Sequence, residues 1–450
     1  EPELEDVLRV LGAKRWDVLV KVGLPRSMPY FYGSLKVAIT LAFVGTTVSE
    51  MTAANEGIGY LLISAGSAMQ MGLAFAGWLA NSWGMHAKRI AVFDAKPLEE
   101  AAKDPRILAL SDATRLRLGS LAFPANATPI HHIHVSEQSR FGQVRMRAEE
   151  MGLRALGWTV RYGDLVQCLN QAAVDRGVQV FRNAPVQFAH RSAQDSLEVL
   201  ELADGTEHTA CLRVDAEGGL YGEAGERDKV VDYNQWALIS EVKVRVESSL
   251  LEGANTLAFE RFTPDGPVAL LPISTDQGLY SLIWCAPKSL IDQRIQLPER
   301  EFFSQLRHQF GRRVEVLQAG PRKCFPLGMN WREHLVQGRR VAIGNAAQIL
   351  HPVAGQGLNL GLRDAMQLCR SIEPEVVAQE HRLCAALDEF EKSRVADRQV
   401  VVKMTDWMVK GFSNHNPLLG AGRQVALNLM EFTPPLRKQF AELMLFGLAV

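Results

Sequence analysis

The stretch of this chain best suited to chemistry is Gly355-Gln356-Gly357. An apolar strand pattern, residues 339–345, runs into it, and an amphipathic helical pattern leaves it. Glycines at the mouth of a helix let the backbone approach a ligand and leave N–H groups pointing outward. The helix N-terminus adds positive potential, so such a turn stabilises negative charge on a bound group. Asp94 ends a second apolar strand, residues 88–94. An acid at the tip of the second strand of a dinucleotide-binding unit hydrogen-bonds the adenosine ribose, although most strands ending in Asp bind nothing. His131, His132 and His134 form a third cluster. His-x-His on a strand puts two rings on one face, as a metal pair requires, yet no carboxylate or cysteine stands at ligand spacing. We therefore read this segment as a sheet strand without a metal.

The elements that must position these residues come from an ordinary α/β composition. The chain has 450 residues, 47% hydrophobic and 22% charged, with a net charge of −1. That length predicts two or three domains, and the charge balance gives no reason to expect a nucleic-acid partner. The six cysteines form no C-x-x-C pair and match no zinc spacing, which predicts reduced thiols, mostly buried. A helix is expected from about Asp104 to Gly119, and strands at residues 178–181 and 197–202, the latter ahead of an Asp204-Gly205 turn. Residues 259–272 predict a hairpin around Pro264-Asp265-Gly266.

Residues 341–364, VAIGNAAQILHPVAGQGLNLGLRD, closely resemble the carboxy-side flavin motif of FAD-dependent aromatic hydroxylases of the ubiquinone-biosynthesis type. The run F-E-R-F-T at Phe259–Thr263 and the segment D-P-R-I-L-A-L at Asp104–Leu110 are similar to the same family. The resemblance covers about residues 85–450. It implies that Gly344, Asn345, Gly355, Gln356, Gly357, Leu358 and Asn359 bind the flavin and its ribitol, and that Asp94 and Arg106 reach the ribose and pyrophosphate. Ala216-Glu217-Gly218 stands where the family carries A-D-G, so Glu217 and Gly218 are further cofactor candidates. His351 and Pro352 would lie against the ring near the reacting oxygen and are the catalytic candidates. Pro267 and Leu271 would line the substrate side, while Phe259 is expected in the core. Arg394, Asp397 and Asp406 fall at family-like places on a helix, residues 391–406. The implied activity is NAD(P)H-driven, FAD-dependent hydroxylation of a prenylated phenol by O2, with other ubiquinone-pathway proteins as candidate partners.

The first eighty residues differ in texture. Residues 4–25 resemble the cytoplasmic coupling loop of an ABC-transporter permease, with Gly12 at the turn and Leu24-Pro25 at its close. Residues 37–48 and 57–80 are apolar and similar to the next two membrane segments. The second run is long enough to span a bilayer, at about 20 residues; a buried soluble helix explains the first equally well. No basic stretch opens the chain as in a signal peptide, and it begins at Glu1, as a piece of a longer reading frame would. No G-x-G-x-x-G precedes Asp94; the nearest segment is Ser64–Met69, with only Gly66 on a glycine position. Side chains at Ser64 and Met69 would crowd a diphosphate, which predicts weak or absent FAD binding.

The expected architecture is α/β, a Rossmann-like FAD domain plus a mixed-sheet substrate domain. Residues 1–84 are the permease-like helical segment, 85–190 and 330–370 the incomplete FAD domain, 120–140 and 205–325 the substrate-side sheet, and 371–450 a helical tail. That tail is amphipathic and either docks on a membrane or packs on the core. The expected location is cytoplasmic, peripheral to or anchored in the inner membrane. The rival reading is a membrane-inserted permease fragment fused to an inactive flavoprotein domain.

Overall fold

A computed structural model describes residues 71–119, 121–138, 140, 142–192, 197–217, 229–246, 254–275, 278–412 and 417–446. The permease-like coupling loop, the 37–48 run, Ser64–Met69 and Gly218 lie outside these residues.

The dinucleotide-type half begins with helix α1 (Met71–Trp83), followed by strand β1 (Ala91–Asp94). The short helix α2 (Leu98–Ala102) leads to strand β2 (Ile107–Ser111) and helix α3 (Asp112–Leu118). The helix expected from Asp104 is thus a strand over its first half. Ile107, Leu108 and Leu110 pair antiparallel with β6 (Gly157–Arg161), beside β3 (Thr128–Ile130), and the true helix opens where the Ser111 hydroxyl caps the N–H of Thr114. Helix α4 (Tyr162–Asp175) carries the chain to β7 (Gln179–Arg182), which lies parallel to β1. Strands β8 (Val186–Arg191), β9 (Glu198–Leu202) and β10 (Glu207–Ala210) form a small antiparallel sheet. Strand β11 (Arg213–Asp215) pairs parallel with a later strand near residue 341.

The second half is a nine-stranded mixed sheet. It contains β4 (His132–Glu137), β5 (Gln143–Arg147), β12 (Lys229–Val246), β13 (Leu257–Thr263), β14 (Gly266–Pro272), β15 (Leu279–Pro287), β16 (Val314–Ala319) and β17 (Lys323–Trp331). Both the expected His strand and the expected hairpin, β13–β14, are present in it. Helices α5 (Lys288–Gln296) and α6 (Glu299–Phe310) cover one face, over a core built on Trp284, Tyr280 and Phe302.

The chain then returns to the first half through β18 (Val336–Gln337) and β19 (Arg340–Ala342), and edges the large sheet with β20 (Gln348–Ile349). Helix α7 (Gln356–Ser371) follows, then α8 (Pro374–Val377), the 33-residue α9 (Glu380–Phe412), α10 (Pro417–Phe432) and α11 (Pro434–Phe446).

Helix α1 packs in the same core as α4 and α7, with Leu73, Phe75 and Leu79 buried beside Leu165, Leu169, Leu362 and Leu368. The boundary read at residue 84 therefore falls inside a packed unit. The apolar run 57–80, read as a bilayer span, ends in this helix, and its described part is buried by protein. Among the described residues no helix is long and apolar enough to cross a membrane.

A buried ionic network holds α7 to α9. Asp364, fully buried, accepts from Arg394 Nε at 2.6 Å and from Gln348 Nε2 at 2.7 Å. Asp397 accepts from Arg363 Nε at 3.0 Å and from Arg394 at 2.5 Å. Arg398 donates to Gln348 Oε1 at 2.8 Å and to the Arg332 carbonyl at 2.9 Å. Burial alone would raise the Asp397 pKa, but Arg363 and Arg394 outweigh it and hold the carboxyl below its usual range.

Candidate active site

A cavity of about 630 Å³ lies under the large sheet. Strand alternation builds its ceiling: Ile133 and Val135 from β4, Val144 and Met146 from β5, Ala258, Glu260 and Phe262 from β13, Pro267, Ala269 and Leu271 from β14, and Ile283 and Cys285 from β15. Pro267 and Leu271 thus stand where the sequence reading put them. Phe259 borders the cavity but is buried in the core, as expected. Helices α9, α10 and α11 supply an opposite wall through Trp407, Met408, Leu427, Met430 and Phe440. The lining is predominantly aliphatic and aromatic, which suits a large apolar ligand.

The turn before α7 forms the remaining wall. Gly355, Gln356, Gly357, Leu358 and Asn359 all line the cavity. Gly355 is the N-cap residue with φ 60°, a left-handed conformation natural to glycine, and no side chain caps the helix. Asn359 fixes this turn. Its Oδ1 accepts from the Ser111 N–H at 3.0 Å and the Thr114 hydroxyl at 2.7 Å, and its Nδ2 donates to the Gly355 carbonyl at 2.9 Å. Nothing local singles out Ser111 and Thr114, because their partner lies 248 and 245 residues away.

His351 requires a correction. It is fully buried and does not line the cavity. Its Nδ1 accepts from the Val353 N–H at 3.2 Å, so Nε2 carries the proton and donates to Gln235 Oε1 at 3.1 Å. Burial pulls its pKa down to about 4, leaving a neutral ring. With both nitrogens engaged and no access to the cavity, His351 shapes the loop and is not a catalytic group. Pro352, its neighbour, is exposed to the cavity.

The remaining cofactor candidates divide between two neighbourhoods. Asp94 ends β1 with its carboxylate paired to Arg182, which also donates to Asn170 at 2.7 Å. Arg106 is clasped by Asp104, Nε to Oδ1 at 2.9 Å and Nη2 to Oδ2 at 2.8 Å, and lies 4.6 Å over the Tyr162 ring. Its guanidinium is thus oriented by a neighbouring carboxylate and an aromatic face while staying partly exposed. Glu217 is exposed just beyond β11. Asn345, half-buried, and Gly344, with φ 62°, form the turn after β19. A side chain at Gly361 would bring its first carbon within 2.9 Å of the Gly344 Cα and 2.7 Å of the Met71 methyl. Glycine at 361 is what allows α7, α1 and this turn to meet.

Sequence reading missed Gly72. It stands in the first turn of α1, where an added Cβ would touch Ala216 at 3.6 Å and Val92 at 3.9 Å. The helix thus bears on both β1 and the end of β11, strands that belong to separate sheets. Helix–strand packing is the task of the third glycine in G-x-G-x-x-G. Counting back from Gly72 puts Ser67 and Met69 on the other two glycine positions. A glycine followed by Leu73-Ala74 in an apolar helical run was the available signal.

The ring end of this site fits a flavin. At Gly357 an added Cβ would meet nothing closer than Leu350 at 4.0 Å, so the backbone face is open to a planar ligand. A Rossmann-like half, a sheet-roofed apolar cavity and a glycine-opened helix between them define a FAD-dependent aromatic hydroxylase fold. The chain belongs to the FAD binding domain family, which it matches over residues 158–405. Residues 1–84 match the binding-protein-dependent transport system inner membrane component family. Ubiquinone hydroxylase UbiL of Rhodospirillum rubrum is 31% identical over 53% of this chain and 55% of its own length. The 3-demethoxyubiquinol 3-hydroxylase of Escherichia coli is 29% identical over 65% of this chain and 73% of its own. The crystal structure of p-nitrophenol 4-monooxygenase PnpA from Pseudomonas putida shares the fold, with a TM-score of 0.62, 13% identity, and coverage of 85% of this chain and 97% of that one.

Proposed function

We propose that this protein is a FAD-dependent monooxygenase that hydroxylates the ring of a prenylated quinone precursor, with NAD(P)H as electron donor and O2 as co-substrate. The observation that carries this reading is the position of the α7 N-terminus, which opens onto a 630 Å³ apolar cavity beneath the sheet. The names of the ubiquinone hydroxylases among its relatives support the substrate class.

In this reading the backbone N–H groups at Gly355–Leu358 and the helix dipole hold the pyrimidine edge of the flavin and favour its anionic reduced form. Asp94 receives the adenosine ribose. When bound, FAD supplies electron transfer from the donor and activation of O2. The aliphatic ceiling and the α9–α11 wall exclude water and hold the ring and its prenyl chain in place.

Access for so greasy a substrate fits a peripheral location on the inner membrane. On α10, Val425, Leu429 and Phe432 are 67%, 55% and 81% exposed at helical spacing, and Trp407 is 61% exposed at the cavity edge. The same helix lines the cavity with Leu427 and Met430.

The full chain, purified and supplied with FAD, is expected to show flavin absorbance and to consume NAD(P)H and O2 with a prenylphenol, forming a catechol. It is also expected to float with anionic vesicles, less so after Phe432→Ser. Protein that stays colourless after FAD addition favours the rival reading of an inactive fusion, to which the permease-type match at residues 1–84 gives weight.

A further inference from the structure

We propose that Glu260 is the group that receives the substrate's ring hydroxyl, accepting its hydrogen bond on binding and its proton during turnover; this rests on the hydroxylase reading above. Glu260 sits in the middle of the ceiling. Sheet register aligns it with Val135 on β4 and Ala269 on β14, and Ala269 in turn with Ile283 on β15. All four line the cavity, so one carboxyl projects from a row of otherwise apolar side chains. It is the only carboxylate among the described lining residues. It is partly buried and lines the cavity, and among the described residues no cation pairs with it. A buried carboxyl without a protein partner is costly, and a ligand that donates a hydrogen bond to it recovers that cost.

The surroundings set its ionisation. Cys285, also on the ceiling, is held as a thiol, its pKa raised by burial and by the Glu260 charge. Arg423 on α10 borders the same cavity, but its guanidinium is bound to Glu137 at 2.6 Å and to the Gly411 carbonyl at 2.7 Å. The polar side chains of the α7 turn are Gln356 and Asn359, both uncharged, and α9 contributes Trp407, Met408, Gly411 and Phe412, none of them charged. Burial pushes the Glu260 carboxyl up to about 7, a value suited to a base working near neutrality. In the step proposed, the phenolic O–H bond breaks and its proton goes to a Glu260 oxygen. The electron pair stays on the ring oxygen and enriches the ortho and para carbons. The carboxyl returns the proton to the product's ring oxygen, leaving Glu260 ionised.

Calorimetric binding of 2-prenylphenol and of its methyl ether to the full chain tests this. At about pH 8 the phenol is expected to bind about tenfold or more tightly than the ether, a charge-assisted hydrogen bond's worth. That preference should shrink as pH falls through about 7. Glu260→Gln should abolish the pH dependence while leaving the ether's affinity unchanged, and Glu260→Asp should retain it. Equal affinity for both probes, or a preference unchanged in Glu260→Gln, overturns the role of Glu260 and leaves the hydroxylase reading standing. Failure of both probes to bind the unmodified chain overturns both.

Discussion

His351 and Glu260 are both titratable and both held inside the fold, yet they lead to opposite conclusions. His351 has a partner for each ring nitrogen and no path to the cavity. Glu260 has the cavity and no ion-pair partner among the described residues. A residue's type is visible in sequence; whether its polar atoms are already satisfied is not. The histidines make a pH prediction. Burial lowers both His351 and His134 to about 4, against about 6.5 in an unfolded chain. Because the folded values are depressed, the stability is fully present above about pH 6.5. It is lost as pH falls toward about 4, with a slope of about 1.4 kcal/mol per pH unit for each ring. Glu260, raised from its usual 4.5 to about 7, opposes this slope over much of the same window, so the His351 contribution is read as the difference between the parent and His351→Gln in denaturant unfolding, the variant losing less stability as pH falls. Identical pH dependences in the two proteins would refute the assignment.

At the scale of elements, α7 and α9 decide whether the flavin turn is held. The strong periodicity of α7 made it legible and Gly355 marked where it begins, whereas α9 was legible only over residues 391–406. The 104–119 segment was misread because Ile107–Leu110 suits either a helix or a strand, and only pairing with β6 settles which. The helix-pinning network was partly visible as Arg394 and Asp397, three residues apart, but Asp364 and Gln348 join them from distant sequence. Removing one member of a buried network strands the rest. Arg394→Met is therefore expected to cost about 3–5 kcal/mol, because Asp364 keeps its burial and loses a cation. Equilibrium unfolding measures this; a loss below about 1 kcal/mol would mean that water or rearrangement replaces the arginine.

At the scale of the whole molecule, the consequential feature is α1. An apolar run that reads as a membrane segment supplies the helix against which α4 and α7 bury their apolar faces. Apolar content and length report the need for burial but not the medium that provides it. With Gly72 in the helix–strand contact, Ser67 and Met69 occupy the two positions where glycine lets the backbone approach a diphosphate. Ser67→Gly combined with Met69→Gly restores the G-x-G-x-x-G spacing in sequence and is expected to tighten FAD binding at least about tenfold. Flavin fluorescence titration would read the change, and unaltered affinity would show that the diphosphate contacts lie elsewhere.

The sequence by itself determined what depends on local order: the flavin turn with its glycines, the β13–β14 hairpin, the strand ending at Asp94 and the family these define. Such features are encoded by backbone conformation and spacing within some twenty residues. Only the tertiary structure decided what depends on partners from remote segments. It paired Arg106 with Asp104 over Tyr162, closed His351 behind Gln235, gave α1 to the protein core, and left Glu260 lining an apolar chamber assembled from strands far apart in the chain.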